Sequence, residues 1–112
     1  MKKTMYLLTL AILAAAISAA AHAEDIFVSN KSNHSVRVIT TEDEAIKDSV
    51  CLYRGDTVQL RDYTPGKIYR VHTLYQYAYC EGVTREISND FMMFGMDVQA
   101  DVNDNYMVFR KK

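Results

Sequence analysis

One long run alternates in side-chain character, and it constrains the fold more than any other feature of the sequence. Successive side chains of a β-strand point to opposite faces, so the odd-numbered residues of the run 68–80 share one face and the even-numbered residues share the other. The odd-numbered face carries Tyr69, Val71, Thr73, Tyr75, Tyr77 and Tyr79. Because such a run exceeds the usual strand length of about 5 to 6 residues, we expect a bulge or bend within it.

Three other segments have local signals. The polar cluster at residues 30–35 lies between two alternating runs, which favours a hairpin or a tight strand pair. Arg54-Gly55-Asp56 spells the tripeptide that integrins read, but Gly-Asp between two β-rich runs is explained more simply by a hairpin turn. Residues 41–48 are the one helix-like stretch, because Thr41 and Glu44 have capping-box spacing; we interpret them as one helical turn or a loop.

The overall pattern is that of a single all-β domain. Residues 83–87 are predicted to pair with the long strand, residues 88–90 to form a turn, and residues 106–109 to close the sheet. Turn residues recur about every ten positions, and there is almost no helical period. We therefore predict a small antiparallel β-sandwich or barrel of about 6 to 8 short strands with one disulfide.

The N-terminus has the pattern of a cleavable signal peptide. Two lysines precede an uncharged run at residues 5–21, and Ala21-His22-Ala23 places small residues where a signal peptidase cleaves. We predict a signal peptide at residues 1–23 and one exported β-domain at residues 24–112. The alternative is an uncleaved membrane anchor, but the run is shorter than the roughly 20 apolar residues that span a bilayer. The expected location is periplasmic or secreted, with no stable membrane anchor after cleavage.

Loss of this segment makes the domain mildly acidic. The whole chain has 13 Lys and Arg against 14 Asp and Glu, and removal of Lys2 and Lys3 leaves a net charge of about −3. Nucleic-acid binding usually depends on a basic stripe, and the only basic cluster is at residues 110–112. We therefore expect no nucleic-acid partner.

The two cysteines of the chain predict one disulfide. Cys51 and Cys80 are a lone pair, which an oxidising compartment would join. Closing a loop of about 30 residues would stabilise a small domain by roughly 3 to 4 kcal/mol. A reactive or metal-binding thiol is the alternative, but neither cysteine lies in a CxxC motif or within a few residues of a histidine.

Candidates for catalysis and metal binding are few. A hydrolase would need His34 or His72 to meet an acid in space. Residues 101–105 begin like a calcium loop, but Tyr106 stands where the sharp turn requires glycine and Lys112 where the bidentate glutamate should be. An EF-hand is therefore excluded. The two interpretations of residues 101–105 that this leaves are a looser calcium loop and a simple hairpin turn. We expect no enzymatic activity, no cofactor and no metal.

The clustered tyrosines are the best candidates for a binding surface. Tyrosine offers a large, rigid, amphipathic contact area, although the same face could also belong to the core. We take Tyr69, Tyr75, Tyr77 and Tyr79 as candidate ligand- or partner-binding residues. The leading hypothesis is a non-enzymatic protein that recognises another protein in the envelope or outside the cell, such as an inhibitor or a toxin-immunity factor. The alternative is a β-domain that binds a glycan or a small ligand through the same tyrosines.

Overall fold

The computed structural model describes residues 23–112, which form eight β-strands and no helix. The strands are β1 (Glu24–Asn30), β2 (Ser35–Glu42), β3 (Ala45–Leu52), β4 (Thr57–Tyr63), β5 (Ile68–Gln76), β6 (Arg85–Met92), β7 (Val98–Val102) and β8 (Met107–Lys111). The all-β prediction is confirmed. The signal peptide predicted at residues 1–23 lies outside the described residues except for Ala23, and it stays a prediction. Within the described part, no helix could cross a membrane.

The strands form two four-stranded sheets that pack as a sandwich. Sheet A has the order β4-β1-β7-β8, and sheet B has the order β3-β2-β5-β6. The sheets are mostly antiparallel, with the β1–β7 pair parallel. At one open side of the sandwich, the rings of Phe91 on β6 and Phe109 on β8 stack with centroids 5.3 Å apart. The sandwich prediction is therefore confirmed.

The core lies between the sheets and follows from alternation within each strand. In β1, β2 and β5 every second side chain is buried, as expected where one sheet face packs and the other meets water. Burial of each large apolar side chain contributes roughly 1.5 to 3 kcal/mol. The buried apolar residues are Ile26, Val28, Val36, Val38, Leu52, Leu60, Tyr63, Tyr69, Val71, Tyr75, Met93, Ala100, Val102 and Met107.

Two predicted hairpins are wrong, because the loops concerned cross between the sheets. The segment after Asn30 leads from β1 in sheet A to β2 in sheet B. Arg54-Gly55-Asp56 leads from β3 in sheet B back to β4 in sheet A, through a turn in which the Asp56 amide donates to the Tyr53 carbonyl at 3.0 Å. Alternation shows that these runs are strands, but it contains no information about which sheet each strand joins.

The helix-like stretch at residues 41–48 is instead a true hairpin. It contains the end of β2, a two-residue turn and the start of β3, with Glu42 paired to Ala45. Asp43 and Glu44 both have positive φ, 50° and 69°. A two-residue turn with this backbone matches the twist of antiparallel strands. The capping-box spacing was therefore coincidental, and strand pairing determines the conformation.

The alternating run does not continue as one strand, in agreement with the bulge or bend expected within it. β5 ends at Gln76, and residues 77–84 leave the strand as a loop. The partner strand predicted near residues 83–87 is confirmed, since β6 pairs with β5 from Arg85 to Met92. The turn predicted at residues 88–90 is wrong, because those residues lie in the middle of β6. The closing strand is confirmed as β8, which pairs with β7.

Candidate functional site

Four loops meet at one end of the sandwich, which we term the tyrosine end. β1 and β7 run parallel and their neighbours run antiparallel, so the carboxyl ends of β1 and β7 lie beside the amino ends of β4 and β8. In sheet B, β2 and β6 begin at this same end, where β3 and β5 finish. The loops of the tyrosine end are therefore residues 31–34, 53–56, 77–84 and 103–106.

The tyrosines between residues 23 and 112 divide cleanly between the core and this end. Tyr63, Tyr69 and Tyr75 are buried between the sheets, with at most 1% of their surface exposed. Every exposed tyrosine of this part of the chain lies in a loop of the tyrosine end. These are Tyr53 (53% exposed), Tyr77 (75%), Tyr79 (41%) and Tyr106 (56%).

This division changes the set of candidate binding residues. Tyr69 and Tyr75 belong to the core, because their inward-facing rings have no free surface to offer a partner. Tyr77 and Tyr79 stay as candidates, since they follow the end of β5 and are exposed. Tyr53 and Tyr106 join them and were missed from the sequence. Each is isolated along the chain, and only the strand order brings them to the same end.

Tyr53 and Tyr79 form a stacked pair on the surface. Their ring centroids are 3.6 Å apart and their planes differ by 14°. The Tyr79 hydroxyl donates to the carbonyl oxygen of Cys51 at 3.3 Å. The two contacts attach the loop at residues 77–84 to the end of β3.

Tyr77 lies against the backbone of Gly82 in the same loop. A β-carbon at Gly82 would clash with the Tyr77 ring, and Gly82 has φ of +67°, a conformation that residues with side chains rarely adopt. Glycine at this position thus allows the loop to turn and the ring to lie close over it. The outer part of the ring is left in solvent.

The predicted disulfide between Cys51 and Cys80 is confirmed, with a Cα–Cα distance of 5.8 Å. Cys51 lies in β3, whereas Cys80 lies in the loop after β5, not within the strand as its place in the alternating run suggested. Because β2 lies between β3 and β5 in sheet B, the bridge passes over the end of β2. It joins the same two segments as the stacked tyrosines.

Hydrogen bonds also join the other loops of this end. Asn33 donates from its backbone amide and from Nδ2 to the two carboxylate oxygens of Asp104, at 2.6 and 3.0 Å. Arg85 donates to Oδ1 of Asn105 at 2.7 Å and to the Asp104 carbonyl. The hydroxyl of buried Tyr75 donates to the Asn103 carbonyl at 2.5 Å. The exposed rings therefore project from loops that are held to one another.

Asn30 anchors the loop at residues 31–34 from below. Its side chain is fully buried, and Nδ2 donates to the carbonyls of His34 and Leu52 at 2.8 and 3.0 Å. Its Oδ1 accepts from the amide and the hydroxyl of Ser32 at 3.0 and 2.6 Å. One buried side chain thus satisfies polar groups of the loop at residues 31–34 and of the last residue of β3, which stabilises this loop against sheet B.

His72 meets an acid, but not with the geometry of a nucleophilic triad. Its Nδ1 lies 3.1 Å from Glu86 Oε1 and also 3.1 Å from Ser88 Oγ, on the outer face of sheet B. A histidine that activates a serine contacts it through one ring nitrogen and the orienting acid through the other. Here Glu86 and Ser88 both contact Nδ1. Glu86 therefore does not orient the ring from the nitrogen opposite Ser88, as the acid of a triad does.

The calcium-like segment at residues 101–105 has its carboxylates occupied by other side chains. Asp101 Oδ2 accepts from Lys31 at 3.2 Å and from Arg110 at 3.3 Å, and Oδ1 accepts from Gln99 at 3.0 Å. Burial opposes ionisation of Asp101, but these hydrogen bonds prevail and lower its pKa. In the described residues, no three His, Cys, Asp or Glu side chains converge as a metal site. Residues 103–106 form the turn between β7 and β8.

A groove of about 440 Å³ lies on the outer face of sheet B, toward the opposite end of the sandwich. It is lined by Thr41, Asp43, Glu44, Ile68, Arg70, His72 and Asp90. Arg70 and Asp90 pair across it at 2.9 Å. This groove contains no tyrosine, and its central cation is already paired, so we place the candidate site at the tyrosine end.

Comparison with known protein families finds no family model that matches this chain. Comparison with curated proteins finds no significant match either. The function is therefore inferred from the geometry of the tyrosine end.

Proposed function

We propose that this chain is a non-enzymatic binding protein that recognises another protein through the tyrosine end. The observation that carries the proposal is the placement of Tyr53, Tyr77, Tyr79 and Tyr106 in the loops of one end, while the other tyrosines between residues 23 and 112 are buried. A partner of this kind could be an enzyme that the domain inhibits or a toxin that it neutralises.

The chemistry of tyrosine supports a protein partner. Tyrosine supplies a large contact area at a small cost in conformational entropy, and it is enriched among residues that dominate binding energy. Binding also gains when a surface is already ordered before contact. The disulfide, the stacked Tyr53–Tyr79 pair and the Asn33–Asp104 hydrogen bonds provide such order here.

The arrangement of the rings favours a protein over a glycan. A sugar that stacks on an aromatic side chain covers an open ring face. In the Tyr53–Tyr79 pair each ring covers a face of the other, and Tyr77 has one side against Gly82. Protruding edges and hydroxyls are better suited to insertion into a protein surface.

The proposed site of action is the periplasm or the cell exterior, after removal of the signal peptide. The Cys51–Cys80 disulfide is consistent with an oxidising compartment. The signal peptide predicted at residues 1–23 would direct export of the chain to that compartment.

Variant-dependent capture tests the proposal. The purified protein is immobilised and exposed to envelope extract and culture fluid, beside the variants Tyr77→Ala and Tyr106→Ala. Phe94→Ala is the matched control, because Phe94 is 76% exposed, close to the 75% of Tyr77, but lies in the β6–β7 loop at the opposite end. We expect a protein that wild type and Phe94→Ala retain and that the tyrosine variants lose.

Two results would contradict the proposal. One is capture that Phe94→Ala abolishes and Tyr77→Ala does not. The other is a glycan array on which the wild type binds a sugar and Tyr77→Ala does not, with no protein captured in a tyrosine-dependent way. Far-ultraviolet circular dichroism of each variant confirms that the sandwich is intact before binding is compared.

A further inference from the structure

We propose that the Cys51–Cys80 disulfide is a redox-sensitive tether that orders the tyrosine end, so that the protein binds its partner only in the oxidised state. This inference rests on the proposed function and assigns its regulation. It differs from the prediction made from the sequence, in which the bridge serves the stability of the domain as a whole.

The position of the bridge separates it from the sandwich core. Cys51 and Cys80 both belong to sheet B or to its own loop, so the bridge does not cross between the sheets. Neither cysteine is among the buried residues that form the core. The contacts between the sheets, such as the stacking of Phe91 on Phe109, do not involve the sulfur atoms of the bridge. Reduction thus leaves the packing of the core in place.

The base of the loop is also closed without the bridge. Thr84 donates from its amide and its hydroxyl to the Tyr75 carbonyl, at 2.8 and 3.1 Å. These bonds continue the register of β5 and β6, which pair from Tyr75 and Arg85 onward. The pairing of β5 with β6 therefore persists after reduction, and only the tip of the loop is released.

The tip of the loop depends on residues 51–53. The contacts that attach residues 77–83 to β3 and its loop are the disulfide, the Tyr79 hydrogen bond to Cys51 and the Tyr53–Tyr79 stack. Cys80 has φ of +61°, which is unfavourable for a residue with a β-carbon. The bridge holds Cys80 in this conformation, and reduction allows it to relax and the stack to separate.

The chemistry is thiol–disulfide exchange with a dithiol. Cys51 and Cys80 are both partly exposed, so a thiolate can approach the bridge. The thiolate attacks one sulfur, the S–S bond breaks, and a mixed disulfide forms. The second thiol of the reductant then attacks the reductant's own sulfur in the mixed disulfide and releases the cysteine as a thiol. Two electrons and two protons pass to the cysteines, and the dithiol leaves as a disulfide.

Nuclear magnetic resonance of the tyrosine rings tests the tether without any partner. The purified protein, labelled in its tyrosine rings, is compared before and after dithiothreitol and beside the double variant Cys51→Ala/Cys80→Ala. We expect loss of the Tyr53–Tyr79 ring contact and movement of the Tyr53 and Tyr79 ring chemical shifts toward those of a free peptide. The shifts of the buried Tyr63, Tyr69 and Tyr75 should persist.

Two results would overturn the inference. If the Tyr53–Tyr79 contact survives reduction, the disulfide is not required to order the end. If the buried tyrosine signals collapse together with the exposed ones, the bridge maintains the whole sandwich. Both results are read without a partner, so they are independent of the capture experiment on which the proposed function depends.

Capture then tests the link between redox state and binding. The double variant is used as bait without reductant, beside Val71→Ala, which truncates a buried core residue and keeps the bridge. We expect at least a tenfold loss of tyrosine-dependent capture with the double variant and little loss with Val71→Ala. Equal capture by the double variant and the wild type would contradict redox control of binding.

Discussion

Tyr63 on β4 and Asp48 on β3 are joined across the interior of the sandwich by a hydrogen bond of 2.6 Å from the tyrosine hydroxyl to Oδ2. Thr40 completes the network, with its Oγ1 2.6 Å from the Tyr63 hydroxyl and 3.1 Å from the Asp48 amide that donates to it. The three residues connect β4 of sheet A to β3, an edge strand of sheet B, and to its neighbour β2. The network couples the two sheets at a point far from the tyrosine end.

Replacing Tyr63 by phenylalanine should destabilise the protein by about 1 to 3 kcal/mol, because it removes a hydrogen-bond partner from the buried Thr40 hydroxyl and from the half-buried Asp48 carboxylate. Urea denaturation measures the change. Tyr106→Phe is the control, since Tyr106 is exposed, and it should change the free energy of unfolding by less than about 0.5 kcal/mol. Equal effects of the two variants would show that the Tyr63 hydroxyl does not stabilise the interior.

The same tyrosine predicts how stability changes at alkaline pH. Burial and the hydrogen bond to Asp48 raise the pKa of Tyr63 far above its ordinary value of 10.0. In the unfolded chain the hydroxyl ionises near pH 10, whereas in the folded protein it keeps its proton. Above pH 10 the unfolded state therefore binds fewer protons, and the free energy of unfolding falls as the pH rises. Below pH 10 this group has no effect on the pH dependence.

Urea midpoints at pH 8, 10 and 11 test this dependence. Wild type should lose stability between pH 10 and pH 11, and Tyr63→Phe should lose less over the same interval. Burial also raises the pKa of Tyr75, so Tyr75 accounts for some of the alkaline loss of stability that the Tyr63→Phe variant still shows. Identical slopes for wild type and Tyr63→Phe would rule out Tyr63 as a source of the alkaline loss.

Asn30 should be among the most sensitive polar residues of the protein. Asn30→Ala removes the donors to the carbonyls of His34 and Leu52 and the acceptor for Ser32, all at a buried position. We expect a loss of about 2 to 3 kcal/mol. Asn33→Ala, an exposed neighbour that bonds Asp104, should cost less than about 1 kcal/mol. Thermal unfolding followed by circular dichroism compares the two, and a larger loss from Asn33→Ala would contradict this ranking.

Asp101 should stabilise the protein at neutral pH and not in strong acid. The pKa of Asp101 is lower in the folded protein than in the unfolded chain, where it is near 3.9. The carboxylate therefore stabilises the folded state above pH 3.9, and this stabilisation is lost as the pH falls through the folded-state pKa. Lys31 and Arg110 are more than half exposed, so Asp101→Asn should cost only about 1 kcal/mol at pH 7. The urea midpoints of wild type and variant should converge near pH 2. A constant difference across this range would exclude the ion pairs as its cause.

The sequence predicts the fold class and the disulfide because both depend on local or compositional signals. Period-two alternation identifies the run that contains β5 and places Tyr69 and Tyr75 on one face, but it does not determine whether that face is buried. A lone pair of cysteines leaves one pairing. The strand partners depend instead on contacts between distant residues, and no local pattern distinguishes a hairpin from a loop that crosses between sheets. For this reason the turn at Asp43 and Glu44 and the crossing after Asn30 were interpreted wrongly.

The candidate site was only partly predictable for the same reason. Alternation places Tyr77 and Tyr79 on the same face as Tyr69 and Tyr75, but the strand ends at Gln76 and the later pair leaves the core. Tyr53 and Tyr106 have no distinguishing neighbours in the sequence. Their association with Tyr77 and Tyr79 follows from the sheet order alone, which brings four separate loops to one end.

Site-specific photo-crosslinking in cells that produce the protein is the most direct test of binding through the tyrosine end. A photoreactive amino acid replaces Tyr77 in one variant and Phe94 in another, at positions of nearly equal exposure on opposite ends of the sandwich. We predict a discrete covalent adduct with a second protein from position 77 and none from position 94. An adduct of the same mass and yield from position 94, or from that position alone, would contradict the proposed binding surface.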